Sequence, residues 1–268
     1  SNTGVITANA ATSTIKFNGT VAQTFTLGGT YTGSLISNMV VDNSFSTSGL
    51  TVSTTNINVG SLTINASRFM TLNGVNINVT KDVDNNGTVT TSIASSAITM
   101  NGSLAQTIKS SGATGVWTTG TAGRLLNLVI NNAAGVSITT AFAIQTGLTL
   151  TSGALTSSVL TIGVPATTVT TTRTAGSLTN VPTWGYTTGA YNIIYNGAAA
   201  INTGNELPSS ATPTNGTLTV STGGTNVTLM ADANIGTLTT SVATTTTFNL
   251  NGFTLGLSLT TPLSNTGV

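Results

Sequence analysis

The sequence contains neither cysteine nor histidine. Without thiols there are no disulfides, so stability must come from a buried core or a repeated hydrogen-bonded ladder. The same absences remove the thiolate nucleophile, the commonest general base and the usual zinc ligands. Charge is scarce as well, with Asp, Glu, Lys and Arg making up 4% of the chain, against roughly 25% in ordinary soluble domains. Six basic residues face five acidic ones, for a net charge of +1. No basic patch is available to neutralise phosphates, so no nucleic-acid partner is expected. Asp42, Glu206 and Asp232 stand isolated, whereas a glycosidase of the β-helix type needs two acids together; the chain is expected not to be an enzyme. Apolar runs never reach the roughly 18 residues of a membrane-spanning helix, so no membrane insertion is expected. No leader or targeting motif is visible at either end, as expected of an internal fragment or a processed form.

What remains is rich in Val, Ile, Thr, Asn and Gly. β-branched residues suit a pleated surface and argue against disorder. Leu148-Thr149-Leu150, Thr217-Leu218-Thr219-Val220 and Phe248-Asn249-Leu250 alternate apolar and polar, the period of a half-buried strand. These short runs end at Gly or Asn, often as Asn-Gly, which suits tight turns. No window carries the i, i+3, i+4, i+7 spacing of an amphipathic helix.

Repeats organise the chain. Ser1-Asn2-Thr3-Gly4-Val5 returns as Ser264-Asn265-Thr266-Gly267-Val268, an offset of 263. A tandem array of that period is the expected context, with residues 264–268 opening the next copy. Inside the period, Ser13-Thr14-Ile15-Lys16-Phe17-Asn18-Gly19 and the following Gln23 match Ser96-Ala97-Ile98-Thr99-Met100-Asn101-Gly102 and Gln106, an offset of 83. A looser third version runs from Ile193 through Asn196-Gly197 to Ile201. Submodules over 1–95, 96–190 and 191–263 follow from these copies.

The expected fold is all-β, an elongated parallel β-helix (β-solenoid) built of repeats, with tandem β-sandwich domains as the alternative. The pairs Leu128/Ile130, Val136/Ile138, Leu148/Leu150 and Leu160/Ile162 recur at 8 to 12 residues, a rhythm of short stacked strands. Asn73, Asn101, Asn131 and Asn251 are expected to form polar ladders along the stack. Aromatics at 5% are few for a sandwich.

Two longer motifs carry a resemblance. One is Tyr195-Asn196-Gly197 with Thr203-Gly204-Asn205-Glu206-Leu207-Pro208. The other is Leu126-Asn127-Leu128-Val129-Ile130-Asn131-Asn132-Ala133-Ala134-Gly135-Val136, leading to Gly147-Leu148-Thr149-Leu150-Thr151-Ser152-Gly153-Ala154-Leu155. Both resemble the low-complexity repeats of giant cell-surface proteins exported by the type IX system of Bacteroidota, including gliding-motility adhesins. That resemblance implies an extracellular, cell-surface location, anchoring through another part of the polypeptide, and adhesive work.

Candidate sites are few. Asp82, Asp84 and Asn86, followed by Gly87, resemble the opening half of a calcium loop, and calcium is the one cofactor the sequence suggests. The twelfth position, where an EF-hand carries Glu, is Ile93, and a polar turn between Val79 and Val89 is the plain alternative. Seven Asn-x-Ser/Thr sequons occur, at Asn18, Asn65, Asn78, Asn86, Asn101, Asn215 and Asn226. They are glycosylation candidates, although so Asn- and Thr-rich a composition generates sequons by itself. Trp117, Trp184, Tyr186, Tyr191 and Tyr195 include the aromatic-dense stretch after Pro182. Trp184 and Tyr186 are candidates for stacking on a glycan; the alternative is an apolar plug between submodules. Gln23 and Gln106, at matching places, read as turn-side amides. The function expected from all this is a structural or adhesive stalk repeat of a long surface filament, in contact with neighbouring copies of itself and an unknown surface or glycan ligand. A subunit of a non-covalent filament and a carbohydrate-binding module are the alternatives.

Overall fold

The computed structural model describes residues 12–26, 36–46, 49–53, 56–91, 93–112, 125–209, 215–221, 226–240, 246–259 and 263–265. Trp117, the opening pentapeptide and residues 266–268 lie outside them. The described residues contain strands and turns and no helix. Every pairing between strands is parallel. The chain is a β-solenoid. The sandwich alternative fails because sandwiches are built of antiparallel sheets.

Each coil visits three faces. Face one stacks ten strands: Asn56–Ile64, Asn76–Val79, Ala97–Met100, Leu125–Asn131, Phe142–Ser152, Val169–Arg173, Tyr191–Tyr195, Thr217–Val220, Thr237–Thr240 and Leu263–Asn265. At roughly 4.8 Å between strands this face is about 45 Å tall. Its register lines up one inward column: Ile57, Ile77, Ile98, Leu128, Leu148, Thr171, Ile193, Leu218 and Leu238. Successive members are 20 to 30 residues apart, the length of one coil. All nine are buried, and each apolar side chain contributes roughly 1.5–3 kcal/mol by leaving water. The ladder crosses 95/96 through Val79↔Met100 and 190/191 through Arg173↔Tyr195.

Face two begins with Thr14–Phe17, Ile36–Val41 and the second half of Asn56–Ile64. It continues through Val83–Asn85, Gln106–Lys109, Val136–Ile138, Ala154–Thr156 and Ser177–Leu178. After that coil it resumes as a separate sheet of Ile201–Asn202, Asn226–Thr228 and Thr247–Asn249. Face three starts as Gln23–Phe25, Leu50–Val52, Phe69–Leu72 and Thr88–Thr91. It passes through residues 142–144, Leu160–Ile162 and Thr183–Trp184, and restarts at Ala233–Ile235 and Leu255–Leu257. Faces two and three are therefore interrupted at one coil, residues 191–209, while face one runs through it.

Corners are made where side chains must vanish. Gly153 has φ 75°, and a Cβ there would run into the Asn132 carbonyl of the preceding coil. The expected amide ladder exists, but at other residues. On the outer side of face one, Asn78 Nδ2 donates to Asn58 Oδ1 (2.8 Å), Asn76 Nδ2 to Asn78 Oδ1 (3.2 Å), and Thr99 Oγ1 to Asn76 Oδ1 (2.9 Å). Asn101 Oδ1 is buried with no partner among the described residues, and Asn131 receives only Ser152 Oγ.

Candidate functional site

The two matched Asn-Gly copies fold into the same corner. In the first, Gly19 N donates to Gln23 Oε1 (3.2 Å), and Asn43 of the next coil donates Nδ2 to that oxygen and to Val21 O (both 2.8 Å). In the second, Gly102 N donates to Gln106 Oε1 (2.8 Å), and Asn132 of the next coil donates Nδ2 to it (2.8 Å) and to Leu104 O (2.7 Å). The Asn carbonyls accept from Phe45 N and Ala134 N (both 2.8 Å). Asn43, Asn132 and Gln106 are buried, so these bonds satisfy groups that would otherwise be costly orphans. A Cβ at Gly102 would run into the Thr80 carbonyl, and one at Gly19 would lie 2.8 Å from the Gln23 amide carbon. The corner amides are thus latches between coils.

The third copy replaces Gln by Ile201, which is buried, and the coil is held by charge instead. Arg173 stands in an inward register slot, between Leu150 and Tyr195. Its Nε donates to Gly176 O (2.6 Å), and its Nη1 donates to Asn202 O (2.8 Å) and to Glu206 Oε1. Glu206 is fully buried. It also accepts from Gly204 N (2.9 Å) and Tyr195 OH (3.2 Å), while Tyr191 OH donates to its backbone carbonyl (2.6 Å). Burial, and then the negative charge of Glu206, push both phenols well above their ordinary pKa. They stay protonated donors.

Beside this ion pair, face three shows no strand among the described residues of this coil. Thr183–Trp184 stacks on Leu160–Ile162, and among the described residues no strand stacks on its other side. Of the segment that follows Tyr191–Tyr195 on this coil, residues 203–209 turn at 205–207, and Ser209 makes an antiparallel bridge to Ala233. The gap is a cleft of about 430 Å³. Trp184, Asn205, Leu207, Met230 and Asp232 are among the residues that line it. Trp184 is held from behind by Tyr191, edge-on at 4.8 Å, and by Tyr186 at 5.8 Å; Tyr186 stacks on Tyr191 at 5.6 Å and 12°.

Of the two predicted stacking residues, Trp184 therefore lines an open cleft. Tyr186 does not: it is buried, with its ring against Tyr191. Tyr191 is buried with it.

Of Asp82, Asp84 and Asn86, Asp84 lies within the strand Val83–Asn85, while Asp82 precedes it and Asn86 sits in the bend that leads to Thr88–Thr91. The three side chains lie on the outer side at alternate positions. Their oxygens stitch the next coil. Asp82 Oδ1 accepts from Thr107 N (2.7 Å), and Asp84 accepts from Ser111 N (2.9 Å) and Ser111 Oγ. Asn86 Oδ1 accepts from Gly112 N and Ser110 Oγ. Calcium would have to displace these donors, and no group of three or more His, Cys, Asp or Glu side chains placed to hold a metal occurs among the described residues.

The sequons divide. Asn18, Asn215 and Asn226 are exposed; Asn65, Asn78, Asn86 and Asn101 are half-buried, and Asn78 and Asn86 are bound into the contacts above. Asp42 gathers the other visible ion pairs, to Lys16 of the preceding coil (2.7 Å) and Arg68 of the following one (3.3 Å). Hydrogen bonds from Lys16, then Asn65 and Arg68, hold its pKa down to about 2.

No protein-family model, curated protein or solved structure matches the chain. No helix among the described residues is long and apolar enough to cross a membrane.

Proposed function

We propose that the chain is a rigid structural and adhesive stalk segment of a long extracellular filament on a cell surface, extended by tandem copies of itself. The observation that supports this most is the phase of the coils. Faces follow one another in a fixed order, one, two, three. Leu263–Asn265 occupies face one, on Thr237–Thr240, and it contains Ser264 and Asn265, the start of the repeated pentapeptide. The first described strands, Thr14–Phe17 and Gln23–Phe25, occupy faces two and three. A following copy would take up the winding where this one leaves it, and the 263-residue period would hold a whole number of coils.

Solenoid coils contact only their neighbours, so such a rod lengthens without a redesigned core. The sparse charge and the likeness of the repeats to surface adhesins support the same reading. Denaturing electrophoresis of material from the native source tests it. An antibody to this chain is expected to mark a band many times larger than 26.7 kDa, removable from intact cells by added protease. A band near the mass of one copy, or one protected inside intact cells, contradicts it.

A further inference from the structure

We propose that the cleft at Trp184 is a binding site for a neutral saccharide. The inference is independent of the stalk reading; either can fail alone. No described strand covers Thr183–Trp184, and the inward slot of this ladder, opposite Ile162, holds the one tryptophan among the described residues, which lines the cleft. The indole is not a loose surface ring, because Tyr191 and Tyr186 fix it from behind. A rigid aromatic ring sharing a cleft with polar groups is the combination that takes the C–H face of a pyranose while its hydroxyls are hydrogen-bonded by those groups. The polar groups are present. Asp232 is exposed; its Oδ1 accepts from Thr254 N (2.8 Å), and Oδ2 has no partner among the described residues. Asn205 spends its Nδ2 on Leu178 O (3.2 Å) and Thr179 O (2.8 Å), leaving Oδ1 as an acceptor. The cleft volume lies in the range of small-ligand pockets.

Charge narrows the ligand class. Asp232 is the single ionisable side chain of the lining. No cation is there to hold a phosphate, sulfate or acidic sugar, and one carboxylate accepts well from sugar hydroxyls. Val181 and Met230, 67% and 45% exposed, give an apolar rim suited to a sugar's flanks. Glu206 and Arg173 act one layer deeper. They pin residues 202–206 away from the gap, so the cleft is open before any ligand arrives.

The experiment uses the full chain with Trp117→Phe, so that Trp184 is the sole tryptophan. Its emission is titrated with glucose, galactose, mannose, N-acetylglucosamine and their short β-linked oligosaccharides, with tetramethylammonium as a cationic control. The inference expects a saturable change with at least one saccharide. Asp232→Ala, at an exposed position, and Ala231→Phe, which fills the cleft, each weaken it roughly tenfold or more. Circular dichroism confirms that both variants keep the strand spectrum. No saturable response to any saccharide, a response to tetramethylammonium alone, or saccharide binding that both variants leave unchanged overturns the inference.

Discussion

The corners at Gly102–Gln106 and Gly197–Ile201 occupy the same place in their coils and are held in opposite ways. At the first, a buried glutamine and the buried Asn132 of the next coil exchange neutral hydrogen bonds, and the coils stack without interruption. At the second, Ile201 fills the glutamine's place; a Cβ on Gly197 would lie 3.1 Å from its Cδ1. Cohesion passes to Arg173 and Glu206; face two breaks into a separate sheet, and face three shows no strand in this coil among the described residues. A neutral latch transmits the register of one coil to the next. An ion pair reaching across 33 residues of sequence instead holds a loop off the ladder, and the gap becomes a cleft. Regular stacking and the cleft are thus separated along one solenoid.

The largest effect that would sharpen this contrast is at Glu206. Glu206→Ala strands Arg173 in a buried site and is expected to cost about 3–5 kcal/mol in urea unfolding. Replacing both partners, Arg173→Met with Glu206→Leu, is expected to cost less than that single change. A cost below about 1 kcal/mol for Glu206→Ala would mean that the ion pair does not hold this coil. At the neutral latch, Asn132→Ala is expected to cost about 2–3 kcal/mol, because Gln106 Oε1, Leu104 O and Ala134 N lose partners together. A double-mutant cycle with Gln106→Ala should show coupling above about 0.5 kcal/mol; additivity would break the comparison.

The smallest effect is electrostatic and lies on the regular part of the rod. Asp42 has a folded-state pKa of about 2, below the ordinary 3.8. A depressed carboxylate favours the folded state above its unfolded pKa, and the gain is lost as pH falls through the folded one. The wild-type chain should therefore lose stability between roughly pH 4 and pH 2. Asp42→Asn should flatten that loss, by less than about 1 kcal/mol since the site is partly solvated.

The regular coils were the legible part of the sequence. Leu128/Ile130 and Leu148/Leu150 alternate as strands do, and their spacing is the coil length found in the ladder. The 83-residue copy marked both latch corners, but as ordinary turn amides, because Asn43 and Asn132 come from the following coil and no local pattern joins them to Gln23 and Gln106. Glu206 was unreadable for a related reason. A lone carboxylate in a Thr-Gly-Asn turn reads as solvated until Arg173 is folded against it. At Asp82 and Asp84 the sequence alone leaves two readings open, because alternate oxygens followed by Gly describe a calcium loop and the outer side of a short strand equally well. Trp184 could be singled out as an aromatic, but that it lines a cleft depends on how the neighbouring coil folds.

The central claim, that copies wind on in phase as one rod, is tested most directly by small-angle scattering from two copies joined at the 263-residue period. A continuous solenoid predicts that the second copy leaves the cross-sectional radius of gyration unchanged and lengthens the particle by roughly 50 Å, at about 4.8 Å per coil. A two-lobed profile with a variable angle between the lobes, or a thicker particle of unchanged length, would contradict it.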